Sequence, residues 1–278
     1  MIQKSYDNTS TLYIVPTPIG NMDDMTFRAI NTLKEVDVIF AEDTRVTKQL
    51  LTHFEIKKTL ISSHLYNEKN NCDKELDYLK QGKNIAVVSD RGTPVISDPG
   101  YILVRKAIEN DYNVVCLPGA NALIPAYVMS GISGGPFTFY GFLNSKETKR
   151  KKELKELAEY KFPIIFYEAP HRIMPTLKNI KEIFGNRQGV IAREITKKYE
   201  EIIRGTIDEL IKNAEDLKGE LVVIIDGNHQ EKDFSDLSII DHINIYLKEG
   251  KSSKDAIKLV AKDRNIPKSE VYKEYHKK

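Results

Sequence analysis

Two short acid-base groups stand out in the chain. Glu42 and Asp43 are adjacent, two positions before Arg45, and Glu168, His171 and Arg172 fall within one five-residue stretch. A carboxylate or an imidazole can take a proton from a hydroxyl, and a guanidinium beside it can neutralise a phosphate. Glu42, Asp43, Glu168 and His171 are therefore candidate bases, and Arg45 and Arg172 candidate phosphate contacts. The same residues have plainer uses. Acids at a helix start complement its dipole, a histidine after a strand often serves as a cap, and an arginine beside an acid forms a structural ion pair.

Other segments have the chemistry of binding. Residues 89–100 read Ser-Asp-Arg-Gly-Thr-Pro-Val-Ile-Ser-Asp-Pro-Gly, directly after the apolar run Ile85-Ala86-Val87-Val88. Gly92 lets backbone approach a ligand closely, Pro94 and Pro99 stiffen the path, and Asp98 is expected to cap a helix that begins at Pro99. Comparable turns are Pro16-Thr17-Pro18-Ile19-Gly20-Asn21, Glu42-Asp43-Thr44-Arg45, His64 with Asn67 and Glu68 near it, and Pro118-Gly119-Ala120-Asn121. A Gly-x-Gly-x-x-Gly after the first strand, a Walker Gly-Lys-Ser/Thr, His-Glu-x-x-His and Gly-x-Ser-x-Gly are all missing, which weighs against a standard dehydrogenase, kinase, metalloprotease or serine hydrolase.

The elements that must position these turns follow from hydrophobic spacing. Strands are expected at Leu12–Pro16, Val36–Ala41, Thr59–Ser63, Ile85–Ser89 and Asn113–Leu117, with helices between them. Helical spacing is clearest at Phe27, Ile30 and Leu33, at Val46, Leu50, Leu51 and Phe54, and over Tyr101–Ile108. This alternation implies a mostly parallel sheet covered on both faces, so that all five turns meet at one sheet edge. Gly131–Pro136 reads as a hinge. Beyond it, strands at Phe137–Phe142, Pro163–Glu168, Gly189–Arg193, Glu200–Arg204 and Glu220–Asp226, with helices over Lys146–Tyr160, up to about Phe184, and Ile207–Leu217, imply a second α/β domain with more antiparallel character. Helices at Ile239–Leu247, Ser253–Asp263 and Pro267–Tyr275 close the chain as a small appendage or a helix-turn-helix. The expected domains are 1–131, 132–228 and 229–278.

Composition narrows the class. A 278-residue chain is long for one small core. Cys72 and Cys116 sit in unlike contexts, which suggests neither a disulfide framework nor a metal site and fits a reducing, cytoplasmic setting. Met1–Thr11 lacks an apolar leader, and no run is long enough to span a membrane. The net charge of +2 is uneven: residues 248–278 carry +5 and the rest −3. A second basic cluster, Lys146–Lys155, adds Lys149 and Arg150 as candidate nucleic-acid contacts, although a solvated helix face would look the same.

Taken together, the turns at 16–21, Ala41–Arg45, Gly92–Pro94, Ser97–Gly100 and Tyr167–Arg172 resemble the tetrapyrrole methylase superfamily, and within it the ribosomal RNA small-subunit methyltransferase I branch, from about Leu12 to Gly227. The resemblance implies two α/β domains with the cofactor cleft between them, usually in a homodimer. It implies S-adenosylmethionine as methyl donor and the ribose 2′-hydroxyl of a cytidine in the decoding region of 16S rRNA as acceptor, on naked RNA or on the small ribosomal subunit. The residues it assigns to the cofactor are Pro18, Gly20, Asp90, Gly92, Thr93, Pro94, Ser97, Pro118, Gly119, Ala120 and Tyr167. No metal is expected. The chain departs from the branch at Arg91, where Ala is usual, and at Asn121, where Ser is usual. Rival readings are a tetrapyrrole C-methyltransferase on the same fold and a non-enzymatic nucleic-acid-binding protein working through the C-terminal helices.

Overall fold

The computed structural model describes every residue except 1, 2, 4, 6, 8, 64–67, 99, 230–233, 235, 236, 249 and 278, so His64, Asn67 and Pro99 lie outside the described residues. The chain forms two compact units, 1–228 and 229–278. No helix among the described residues is long and apolar enough to cross a membrane.

The first unit holds two five-stranded sheets. The first alternates strand and helix: β1 (Thr11–Ile14), α1 (Phe27–Glu35), β2 (Val38–Ala41), α2 (Thr44–His53), β3 (Thr59–Ser62), α3 (Glu68–Lys80), β4 (Ile85–Val88), α4 (Tyr101–Glu109) and β5 (Asn113–Cys116). All its pairings are parallel, in the order β3-β2-β4-β1-β5. Because side chains alternate along a strand, Ile39, Ala41, Ala86 and Val88 pack with Leu33, Leu50 and Leu51 on one face, while Val38, Phe40, Ile85 and Val87 pack with Leu76, Leu79 and Leu103 on the other. The expected strands are present, with ends within two residues. The expected helical stripes are narrower than the spacing implied. Phe27 is 87% exposed, and Val46 and Tyr101 are also exposed, because α1 turns Ala29, Thr32 and Leu33 inward and α2 turns Thr47, Leu50 and Leu51 inward. Asp98 does not cap α4: the helix begins at Tyr101, and its N-cap is Gly100 at φ +122°.

The second sheet follows α5 (Leu123–Ser130): β6 (Thr138–Phe142), α6 (Glu147–Leu157), β7 (Ile164–Glu168), α7 (Ile173–Phe184), β8 (Gln188–Arg193), β9 (Glu201–Thr206), α8 (Ile207–Asn213) and β10 (Leu221–Ile225). Its order is β6-β7-β10-β8-β9, antiparallel except at β6-β7. The central strand β10 is buried throughout. One face carries α6, α7 and α8. The other packs Ile165, Val190, Val222 and Ile224 against Ala126 and Tyr127 of α5, so a helix that precedes the Gly-rich stretch in sequence belongs to the second sheet's core. That stretch is tied down: Gly131 is the left-handed C-cap of α5, and the Tyr127 hydroxyl donates to the carbonyl of Gly135 at 2.8 Å.

The second unit packs α9 (Ile239–Lys248), α10 (Ser253–Asp263) and α11 (Lys268–Tyr275) around Ile243, Ile257, Val260 and Val271. Buried His242 stacks on Phe234 and accepts from Arg264 Nε at 3.2 Å.

Candidate active site

In the first sheet the connection from β1 runs to β2 on one side and that from β4 runs to β5 on the other, although β1 and β4 are neighbours. Their carboxyl ends therefore diverge onto opposite faces and leave a crevice, the topological switch point where open α/β sheets bind ligands. The two turns are stapled across it. Thr17 N–H donates to the Gly92 carbonyl at 2.8 Å, Gly92 N–H donates back to Thr17 at 2.9 Å, and the buried Thr17 hydroxyl reaches the Ser89 carbonyl at 3.1 Å. Thr93 Oγ1 donates to the Ala120 carbonyl at 3.1 Å and brings in the turn after β5. Gly92 sits at φ +78°, and a Cβ on Gly119 would lie 2.6 Å from Pro16 Cβ. The predicted turns after β1, β4 and β5 do converge, while His64 and Asn67 of the turn after β3 lie outside the described residues.

Above them lies a cavity of about 530 Å³, within the size range of small-molecule sites. The first sheet contributes Ile19, Gly92, Thr93, Ile96, Ser97 and Asp98, and the second contributes an aromatic wall of Phe139, Phe142 and Tyr167. Tyr167 meets Phe139 edge-on at 5.0 Å and Phe142 at 5.6 Å. Alternation alone would send residues 139 and 142 to opposite faces. A register shift between Phe139 and Gly141 delivers both to one wall. Burial pushes the Tyr167 phenol up to about 12, so it stays protonated. Across from it, Val95 (φ +77°) and Ser97 (φ +68°) hold left-handed backbone, which costs of order 1–3 kcal/mol each. A Cβ on Gly141 would stand 3.2 Å from Ser97 Oγ.

The acids divide by partner. Asp43 is the N-cap of α2 and is clasped by Arg45, with Nη2 to Oδ2 at 2.6 Å, which holds its carboxyl down to about 2. Asp43 thus serves as a cap and ion-pair partner and is not among the cavity-lining residues. Glu168 lines the cavity, but its side chain is 1% exposed and both oxygens are taken: Oε2 by the Thr176 hydroxyl at 2.6 Å, Oε1 by Ala169 N–H at 2.8 Å and Arg172 Nε at 3.2 Å. It is corrected from a base to a structural anchor. Arg172, whose Nη2 donates to the Leu143 carbonyl at 2.6 Å, is corrected from a phosphate contact to the partner of that anchor. His171 is exposed on the turn beside Pro170 and is not among the cavity-lining residues. Glu42 is half-buried, 3.5 Å from Asp90 N–H. Asp98 lines the cavity. Burial, then the charges of Glu42 and Asp90, push its carboxyl up to about 6, opposed by a hydrogen bond with Ser89.

Of the expected cofactor residues, Gly92, Thr93, Ser97 and Tyr167 line the cavity. Pro18, Gly20, Asp90, Pro94, Pro118, Gly119 and Ala120 do not; several of them form its frame. Asp90 Oδ1 accepts from Asp43 N–H at 3.0 Å, and Gly20 lies under the Lys197 side chain. The departure at Arg91 is neutralised on the cavity rim by Glu220, which also holds Lys197 at 2.9 Å. Asn121, one residue before the Ala122 N-cap of α5, accepts at Oδ1 from Ile124 N–H at 2.9 Å, a bond a serine hydroxyl could also accept.

Lys149 is exposed, but Arg150 is only 4% exposed, with Nε donating to Asn179 at 2.8 Å and Nη1 to the Ser145 carbonyl at 3.2 Å. Arg150 is corrected from a nucleic-acid contact to a buried strut between α6 and α7. Sequence offered a signal for this: Arg150, Leu154 and Leu157 share one helical stripe, and all three are buried. Arg150→Ala is expected to cost about 2–3 kcal/mol, because Asn179 loses its donor, while Lys149→Ala changes stability by less than about 0.5 kcal/mol; urea unfolding followed by far-UV circular dichroism distinguishes the two.

The sequence profile of the Tetrapyrrole (Corrin/Porphyrin) Methylases matches residues 11–211. The chain is 50% identical over 273 residues to "Ribosomal RNA small subunit methyltransferase I" of Bacillus subtilis (strain 168), covering 95% of this chain and 94% of that one. It is 46% identical to the protein of the same name in Halalkalibacterium halodurans, over 99% and 98% of the two chains. Among solved structures, the methyltransferase CobJ superposes with a TM-score of 0.60 at 20% identity, over 79% of this chain and 95% of that one. The cobalt precorrin-4 methyltransferase CbiF superposes at 0.58 with 16% identity, over 81% and 98%. These two establish the fold.

Proposed function

We propose that this chain, which belongs to the tetrapyrrole methylase family and is a methyltransferase of the ribosomal RNA small-subunit methyltransferase I kind, uses S-adenosylmethionine to methylate the ribose 2′-hydroxyl of a cytidine in the decoding region of 16S rRNA. The observation that carries this reading is the cavity at the switch point, walled by turns of one sheet and aromatic rings of the other. Its residues suit the donor. Gly92 lines the cavity without a side chain, with the Gly119 turn packed on Pro16 as part of its frame, Phe139, Phe142 and Tyr167 offer flat faces to a purine, and Thr93, Ser97 and Asn121 offer polar atoms to ribose and amino acid. The pairing of Arg91 with Glu220 removes a net positive charge from the rim, which suits a cationic ligand. When bound, the donor supplies an electrophilic methyl group on sulfur. The protein's task is to hold the acceptor oxygen in line with it and to remove the proton.

For the acceptor, the names of the relatives are joined by a basic helix. Lys146, Lys149, Lys152 and Lys155 are exposed along α6 and its cap, and such a row suits phosphate contact. Arg45, 87% exposed in its side chain but clasped by Asp43, is a second contact of this reading. The reading also takes 1–131 and 132–228 as two domains sharing the cofactor, with 229–278 as an accessory module, in a cytoplasmic homodimer.

The deciding experiment maps 2′-O-methylation on small-subunit rRNA from cells with and without this protein. The expected result is loss of one cytidine ribose methyl group in the decoding region. An unchanged map, or methyl transfer to a tetrapyrrole carbon in a parallel incubation, overturns the reading.

A further inference from the structure

We propose that Asp98 is the general base of the methyl transfer, taking the proton of the acceptor hydroxyl inside the cavity. The inference rests on the reading above and deepens it.

Three carboxylates line the cavity. Glu168 is sealed by Arg172 and Thr176, and Glu220 is shared by Arg91 and Lys197. Among the described residues the groups that act on Asp98 are Glu42, Asp90 and Ser89, none of them a cation. Asp98 stands on the wall opposite the aromatic rings and is close enough to Tyr167 for its charge to act on that phenol. The segment carrying it is bent by two left-handed non-glycine residues, Val95 and Ser97, and the exposed Ser97 lies beside Gly141 of the opposing sheet. Strain of this kind persists where the surrounding packing dictates it, and here it holds a carboxylate at a cavity wall. The titratable groups facing Asp98 are Glu42 from the turn after β2, Asp90 from its own loop and Tyr167 from β7, with the Ser89 hydroxyl as hydrogen-bond partner. Burial first, and then the two acids, raise its proton affinity into the range useful for a base near neutral pH.

The step balances. The hydroxyl oxygen uses a lone pair to form the new bond to the methyl carbon, and the electron pair of the breaking carbon–sulfur bond stays on sulfur and cancels its positive charge. The hydroxyl proton passes to the Asp98 carboxylate, and from there to water.

The test compares wild type with Asp98→Asn, using small ribosomal subunits from cells lacking the protein as acceptor and S-adenosylhomocysteine as binding probe. The expected kcat falls by about 10²–10⁴-fold, and the rise of wild-type kcat through about pH 6 disappears. Calorimetric affinity for the probe stays within about threefold. Melting gives a readout independent of turnover. A carboxyl whose folded pKa lies above its unfolded value loses stability as pH rises between the two, here from the ordinary 3.8 to about 6. Asp98→Asn therefore melts about 2–6 °C higher than wild type at about pH 8, and the difference closes toward pH 4. A kcat within about tenfold of wild type, a persisting pH rise, or a loss explained by weaker probe binding overturns the assignment. If wild type itself transfers no methyl group to the subunits, the proposed function fails first and takes this inference with it.

Discussion

Glu168→Ala is expected to destabilise the 1–228 unit by about 3–5 kcal/mol, the loss typical when one member of a buried ion pair is removed. The substitution leaves Arg172 with its side chain 20% exposed and only the Leu143 carbonyl to satisfy it, and frees the buried Thr176 hydroxyl and the half-buried Ala169 N–H. Glu168→Gln keeps the shape and an acceptor for Thr176 but not the charge, so it should fall between wild type and alanine. The double variant Glu168→Leu, Arg172→Met should recover part of the loss, because apolar residues of similar volume remove both charges together. Urea midpoints from far-UV circular dichroism report all three. A loss below about 1 kcal/mol for Glu168→Ala would return the residue to the list of candidate bases.

Gly119→Val is the variant most damaging to the cavity. The first atom of any side chain at 119 would stand 2.6 Å from Pro16 Cβ and 2.9 Å from Pro16 Cγ, so the turns after β1 and β5 must part. The Thr93–Ala120 hydrogen bond spans this region, and the Thr17–Gly92 bridge hangs from the same β1 turn. Overpacking costs about 1–3 kcal/mol of stability, and a displacement near 1 Å at a positioning loop costs about 10²-fold in function. The expected result is a drop of about 10²-fold in affinity for S-adenosylhomocysteine by calorimetry, with a native circular dichroism spectrum. Gly134→Ala is the control, because nothing lies within 4 Å of a Cβ there. Equal affinities for the two variants would separate the Gly119 turn from ligand binding.

The strands and the convergence of the turns were readable from sequence because both follow from local pattern. Continuous apolar runs such as Ile85–Val88 read as buried strands, and a βα repeat places every turn after a strand at one edge. Side-chain roles were less readable, because they depend on what packs against each residue. Asp43 and Arg45 were visible as neighbours, but whether they would face a substrate or each other is decided by the start of α2. Glu168 continues the inward alternation of Ile164 and Phe166 along β7, which in retrospect signals burial. Phe139 and Phe142 gave no such signal, since only a register shift places both beside Tyr167. Asp98 read as a helix cap from its Asp-Pro pair, but the chain turns at Val95 and Ser97 and begins the helix at Tyr101.

The interleaving of α5 with the second sheet has a consequence for biosynthesis. The first sheet can close once residue 116 has left the ribosome, because β1 needs only β4 and β5 as neighbours. The helix made next, Leu-Ile-Pro-Ala-Tyr-Val-Met-Ser, must wait for β8 and β10, which are translated much later. For that interval it is an oily segment tethered to an already folded half, the kind of surface that chaperones bind and nascent chains aggregate through.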